Sequence, residues 1–448
     1  MALIGYITYF NVRLREDLLG SPYNKRQDAL EARVVRGTIL SIDEQVLAKT
    51  EVDDAGNETR VYPYNNVFAH IVGYSNMGRS GLEATANKEL LSSNAALIEQ
   101  VQQDIKDEKK SGDSVVTTLD TKLQLAAYNA LGDYRGAIVV MEPATGRILA
   151  MVSKPDFDPN VLSSIWDELV SDSNNSQLLN RATQGMYAPG STFKAVTALS
   201  YLEEHGNLEG FYFNCEGEIT LHNHTIHCYN NTVHGEEDLL KAFAKSCNSA
   251  FAQIGVDLTW RKMKETAEQT LFNDKLPLTI PYSKSKFTLD GSSGVPLAMQ
   301  TAIGQGDTLT TPVHMAMITA AIANNGELMK PMLLDSVRSA TGGNVKEYSP
   351  SSYKQLMTRE EAQMLKVLMA QVVIDGTATS LNDQGYTAAG KTGTAEHGDL
   401  QGTPHSWFIG FSNIDNPDIV VSIIAEESGT GSDVAVPIAK KIFDTFYE

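Results

Sequence analysis

The chain has 448 residues, 42% of them hydrophobic and 20% charged. That length exceeds one ordinary core and points to two or three domains, while the composition excludes a chain dominated by disorder. A formal net charge of −19 with no long basic stretch excludes nucleic acid as an expected partner, and three cysteines exclude a disulfide framework while leaving room for one bridge.

No window reaches the roughly 18 apolar residues of a membrane span. Residues 1–10 are nevertheless apolar and aromatic, and residues 11–17 turn polar. They read as the outer end of a membrane helix, with Tyr6, Tyr9 and Phe10 suited to the interfacial belt. An ordinary buried helix is the competing reading. Residues 33–74 read as β-rich. The alternation over 46–52 predicts a half-buried strand, the cluster at 53–57 a turn, and Arg60 the start of a returning strand. Residues 84–108 become helical and charged. Residues 109–113 read as a linker, which places a domain boundary near 110.

Beyond it, a strand at 115–119 and a helix at 121–131 precede two apolar runs, 136–142 and 147–153, joined by a glycine-containing turn. These predict a buried hairpin. Helices fill the middle, including 316–323 and 360–373. Strands return at 407–411 and 419–425, and a helix closes the chain at 439–446. The order predicts an α+β domain: an antiparallel sheet packed between helices.

Three segments carry chemistry. In residues 187–194, Pro189 and Gly190 break the chain, and Phe193, Val196, Leu199 and Leu202 then recur at helical spacing. Ser191 therefore sits at a helix N-terminus, where unpaired N–H groups and the positive dipole end favour an oxyanion. Lys194 lies one turn on and shares a helix face with it. A serine needs a base to become a nucleophile, and a desolvated lysine can lose its proton and serve. Taken alone, Ser-x-x-Lys also describes a serine cap beside a solvated lysine. The second segment is Ser246, Cys247 and Asn248, a hydroxyl and a carboxamide two apart. The third is Lys391, Thr392, Gly393 and Thr394. The two threonines alternate to one face of a strand, Gly393 lets a substrate backbone approach, and Lys391 adds charge for a carboxylate.

Ser-x-x-Lys, Ser-x-Asn and Lys-Thr-Gly in this order resemble the signature of the penicillin-recognising serine acyltransferases. Residues 117–120 with Gln124, the hairpin at 141–147, and Gly304 and Gly306 resemble the transpeptidase domain of penicillin-binding proteins. Arg33, Arg36, Gly37 and residues 81–83 resemble the pedestal of class B penicillin-binding proteins, and the short pedestal is similar to the compact penicillin-binding protein A group. The resemblance implies a remnant of a membrane anchor at 1–10, a small β-rich pedestal at 11–110 and a transpeptidase domain at 111–448. It implies catalytic Ser191, Lys194, Ser246, Asn248 and Lys391. Thr392, Gly393 and Thr394 would bind substrate, and the N–H groups of Ser191 and Thr394 would form the oxyanion hole. It also implies a stem-peptide D,D-transpeptidase acylated by β-lactams, with no cofactor and no metal. A single-pass membrane location with the catalytic domain outside the cytoplasm follows, together with a membrane glycan polymerase as partner. A D,D-carboxypeptidase, a class D-like β-lactamase and a non-catalytic sensor or scaffold are the alternatives. Arg33, Arg36 and Glu83 are expected to tie the pedestal to the catalytic domain by ion pairs.

Cys247 stands where several relatives of this superfamily carry Asp, which raises a cysteine-nucleophile reading without a basic partner nearby in sequence. His222, His224, His227, Cys228 and His234 match no standard zinc spacing. Residues 217–229 read instead as a hairpin turning at Asn223 and His224. Cys215 and Cys228 lie at its two ends, and an extracytoplasmic location permits a bridge between them.

Overall fold

The structure is a computed structural model that describes residues 31–94, 109–172, 174–396 and 402–448. The expected anchor remnant at 1–10, and the greater part of the charged stretch ending at 108, lie outside the described residues. Among the described residues no helix is long and apolar enough to cross a membrane. Contacts divide the chain into two compact units. The first takes the described residues up to 121 with 156–178 and 333–349; the second takes 122–155, 179–332 and 350–448.

The first unit is built on a six-stranded sheet, in the order Asn344–Glu347, Leu334–Arg338, Ser114–Thr117, Ile39–Leu40, Val46–Val52 and Glu58–Val61. The last two strands form the expected hairpin. Its turn closes on the Asp53 carboxylate, which accepts from the N–H groups of Ala55 and Asn57. Ile39, Leu47, Val115 and Val116 of this sheet are buried. A second cluster forms where helix Leu162–Ser171 brings Leu162 and Leu169 onto Ala69 and Phe157.

Glu83 is fully buried in this unit, and its carboxylate accepts from Arg36 Nε at 2.5 Å and Arg60 Nε at 2.7 Å. Tyr62 donates to it at 3.2 Å. Burial would raise the Glu83 carboxyl, but the guanidinium groups of Arg60 and Arg36 outweigh it and hold the group below its ordinary value. The expected ion pairs between domains are thus corrected: Arg36 and Glu83 satisfy one another inside one unit, because a carboxylate this deep needs its partners within hydrogen-bond reach.

The second unit carries a five-stranded sheet, antiparallel throughout. Its order is Ala388–Ala395, His405–Ser412, Val420–Ala425, Gly136–Met141 and Ile148–Lys154. Every residue of Gly136–Met141 and Val420–Ala425 is buried. Alternate residues point to opposite faces, so both faces of these central strands are covered. Helix Pro312–Ala323 packs on three of the strands with all twelve residues buried, and helix Val436–Tyr447 packs on two of them. At the outer strand the Gln124 amide mimics a missing neighbour. It donates to the Met151 carbonyl at 2.9 Å and accepts from the Met151 N–H at 2.8 Å. This is the predicted α+β architecture of an antiparallel sheet flanked by helices.

Candidate active site

All eight residues singled out by the three motifs lie in the second unit. The Ser191 segment opens at Gly190, whose φ of +52° suits glycine, and whose N–H donates to the Gly304 carbonyl at 2.9 Å. A Cβ at Gly304 would lie 1.9 Å from the Gly190 carbonyl oxygen, so glycine is required there as well. Trp407 Nε1 donates to the Ala188 carbonyl at 3.2 Å, and Thr192 Oγ1 to that of Pro189 at 2.7 Å. Ser191 follows in a 3₁₀ turn, Gly190–Phe193, that runs directly into helix Lys194–His205. Phe193, Val196, Leu199 and Leu202 are buried as the spacing predicted, and the helix stops at Gly206 in the left-handed region.

The second motif is the joint between two helices. Leu239–Ala244 ends, Ser246 takes a left-handed φ of +57°, Cys247 caps the next helix, and Asn248 is the first residue of Asn248–Asp257. The Ser246 and Cys247 N–H groups return to the Phe243 and Ala242 carbonyls. A left-handed conformation is uncommon for serine, and such strain persists only where the surroundings hold it.

Lys194 is what joins the first motif to the second. Its ammonium is buried and donates to Ser246 O at 2.7 Å, Asn248 Oδ1 at 2.8 Å and Ser246 Oγ at 3.3 Å. The Asn248 amide in turn donates to the His227 carbonyl at 2.9 Å. Burial pushes the Lys194 amine down to about 8, against the pull of Cys247, Cys228 and Glu237. The ring of Phe251 lies 5.4 Å from its nitrogen.

The third motif forms an edge strand of the sheet, with Gly393 opposite Trp407. A Cβ on Gly393 would meet Trp407 Cβ at 2.9 Å, Thr192 Cγ2 at 3.0 Å and the Pro189 carbonyl oxygen at 3.2 Å. This glycine therefore lets the strand lie against the Ser191 turn. Thr392 is buried, while Thr394 keeps partial exposure. Lys391 is fully buried beside the Phe243 ring, and burial, then the charge of Lys194, push its amine well below the ordinary value. Lys391 was expected to bring charge for a carboxylate, and burial and the charge of Lys194 both work against its holding a proton.

Three contributors escaped the sequence reading. Thr377 hydrogen-bonds Thr392 Oγ1 at 2.6 Å; nothing in its local pattern marks it out. Trp407 steadies the turn before Ser191. Glu426 accepts from Tyr187 at 2.7 Å and Arg181 at 2.8 Å, fixing the segment that leads into that turn.

The hairpin beside the site pairs Glu218–Leu221 with His224–His227 and turns at His222 and Asn223, one residue earlier than expected, because both take positive φ. Cys215 and Cys228 are free thiols with sulfurs 3.6 Å apart, so the bridge left open by the sequence is not formed.

The chain matches the penicillin binding protein transpeptidase domain over residues 136–444 and the penicillin binding protein A dimerisation domain over residues 36–115. It belongs to the penicillin-binding protein transpeptidase family. It is 31% identical to the peptidoglycan D,D-transpeptidase PbpA of Mycolicibacterium smegmatis, over 98% of this chain and 94% of that protein. The D,D-transpeptidase domain of an Eggerthella lenta peptidoglycan glycosyltransferase superposes with a TM-score of 0.84 at 32% identity, covering 92% of this chain and 98% of that one. Penicillin-binding protein A of Mycobacterium tuberculosis, as its imipenem acyl-enzyme complex, gives a TM-score of 0.84 at 28% identity over the same shares.

Proposed function

We propose that this chain is a peptidoglycan D,D-transpeptidase in which Ser191 carries the acyl group and Lys194 takes the serine proton. The observation that carries the reading is the buried Lys194 amine, held at about 8 one helical turn from Ser191 and bonded to Ser246 and Asn248. Ser191 Oγ attacks the carbonyl between the terminal D-alanines of a stem peptide, and its proton passes to neutral Lys194. The N–H groups of Ser191 and Thr394 face the developing oxyanion. Ser246, with Lys391, returns a proton to the leaving D-alanine. Asn248 holds the substrate amide, and Thr392, Gly393, Thr394 and Lys391 receive the terminal carboxylate. An amine from a second stem then attacks the ester, releasing Ser191 and closing the cross-link. β-Lactams present the same carbonyl and carboxylate and stop at the ester.

Residues 36–115 would act as a pedestal, and a membrane anchor with an outward-facing catalytic unit, working beside a glycan polymerase, fits a substrate assembled at the membrane surface. The test is intact-protein mass after incubation with a penicillin. The parent gains one stable adduct mapping to Ser191, and Ser191→Ala gains none; an adduct on Ser191→Ala overturns the nucleophile. Release of D-alanine from a stem peptide, divided between amine and water as acceptors, then separates cross-linking from carboxypeptidase action.

A further inference from the structure

Four side chains beside the second motif have no role in this mechanism. The sulfurs of Cys215, Cys228 and Cys247 and a ring nitrogen of His234 all lie within 4.8 Å of one another. Cys215 to Cys228 is 3.6 Å, Cys228 to Cys247 is 3.7 Å, and Cys215 to His234 Nδ1 is 3.4 Å. A tetrahedral zinc ion with Zn–S of about 2.3 Å and Zn–N of about 2.0 Å separates its ligands by about 3.8 Å for two sulfurs and about 3.5 Å for sulfur and nitrogen. A disulfide would draw one sulfur pair to about 2.05 Å and leave a buried thiol and the histidine without a purpose.

The elements around the four side chains also suit a clamp. Phe213–Cys215 pairs with Gly235–Glu237, and Glu218–Leu221 with His224–His227, each as a two-stranded ladder. Ladders of this length are not stable alone. They pack on helix Asn248–Asp257, which Cys247 caps, so an ion shared by Cys215, Cys228, His234 and Cys247 would tie that packing together.

We propose that Cys215, Cys228, Cys247 and His234 form a structural zinc site that clamps this hairpin pair to the joint carrying Ser246 and Asn248. Each thiol that binds gives its proton to solvent, and no electron is transferred. The ligands come from the end of one strand, the residue after the hairpin, the residue before Gly235–Glu237, and the cap of helix Asn248–Asp257. Cys247 lies between the two side chains that hold Lys194, so the ion would fix the strained Ser246 conformation and act as a positioning device; that consequence rests on the function proposed above.

The full chain, purified without added metal or reductant, should retain one zinc per chain by elemental analysis. Exchange with cobalt(II) should give thiolate-to-cobalt charge transfer and the intense visible bands of a tetrahedral ion. His234→Ala should weaken and shift those bands, and Cys215→Ser should reduce the charge transfer. Chelation should slow penicillin acylation by on the order of 10- to 100-fold, with recovery on zinc return. A parent protein without stoichiometric zinc and without a cobalt spectrum overturns the site, as does a mass lighter by two hydrogens showing a disulfide among the three cysteines. If a variant fails to fold, the cobalt spectrum of the parent still decides. Cobalt binding without acylation would sink the functional reading and leave the metal site standing; acylation without metal binding would do the reverse.

Discussion

At the scale of the residue, the site depends on where two lysine protons reside. Burial pushes the Lys194 amine down to about 8, and burial, then the charge of Lys194, push Lys391 well below its ordinary value. A base acts through its neutral form, so the penicillin acylation rate should climb with pH and level off above about 8. A rate that stays flat through neutral and mildly alkaline pH would remove Lys194 from that role. Lys194→Ala should lower acylation by roughly 10²- to 10⁴-fold, while gel filtration and thermal unfolding report whether the fold persists. The helical turn that carries Ser191 into the helix of Lys194 was legible because a proline-glycine break is followed by helical spacing. The hydrogen bonds from Lys194 to Ser246 and Asn248 were not, since they span more than 50 residues of sequence and depend on Ser246 adopting a left-handed conformation.

At the scale of the element, the third motif works as a strand that can approach a turn. Gly393→Ala places a methyl group 2.9 Å from Trp407 Cβ, and its neighbours include backbone that cannot turn aside. The expected cost is about 1–3 kcal/mol, read from denaturant midpoints, together with slower acylation as the strand moves off the Ser191 turn. Unchanged stability and rate would mean that the strand does not need this contact. Helix Pro312–Ala323 offers a second case. The sequence predicted only a helix at 316–323, and the structure buries all twelve residues, so that His314 is part of the core. Nε2–H must donate to the Thr270 carbonyl at 2.7 Å, which leaves Nδ1 to accept from Ser285 at 2.7 Å. Burial pushes this imidazole down to about 4 from 6.5. The unfolded chain therefore binds the proton first as pH falls, and stability should decline between about 6.5 and about 4, by on the order of 3 kcal/mol at most from this group. His314→Gln keeps a donor and an acceptor and should flatten that part of the profile in urea titrations at stepped pH.

At the scale of the whole molecule, the chain leaves and re-enters its first unit. The central hairpin and the late strands of the second unit were readable because long apolar runs between turn signals leave little choice. Residues 333–349 were not readable as part of the first unit, because Leu334–Arg338 is short and half-polar, and only its pairing with Ser114–Thr117 assigns it. Inside that unit the single most exacting demand is Glu83. Its carboxylate is completely buried between Arg36 and Arg60, and Arg36 also bonds Asn87 and the Glu83 carbonyl. Glu83→Gln keeps the shape but removes the charge, leaving two guanidinium groups facing a neutral amide in a buried site. Such a loss is worth about 3–5 kcal/mol, much of it the cost of the unpaired charges left behind. The same logic gives a pH sign. The carboxyl is held below its ordinary value, so its contribution is present above about 4.5 and fades as pH falls through the lower folded value. Hydrogen exchange followed by peptide mass should show Glu83→Gln opening residues 34–40, 58–62 and 81–90 first, with the early stability loss on acidification blunted in the variant. If protection at those peptides matches the parent, the buried arginine–glutamate network is not what holds the first unit together.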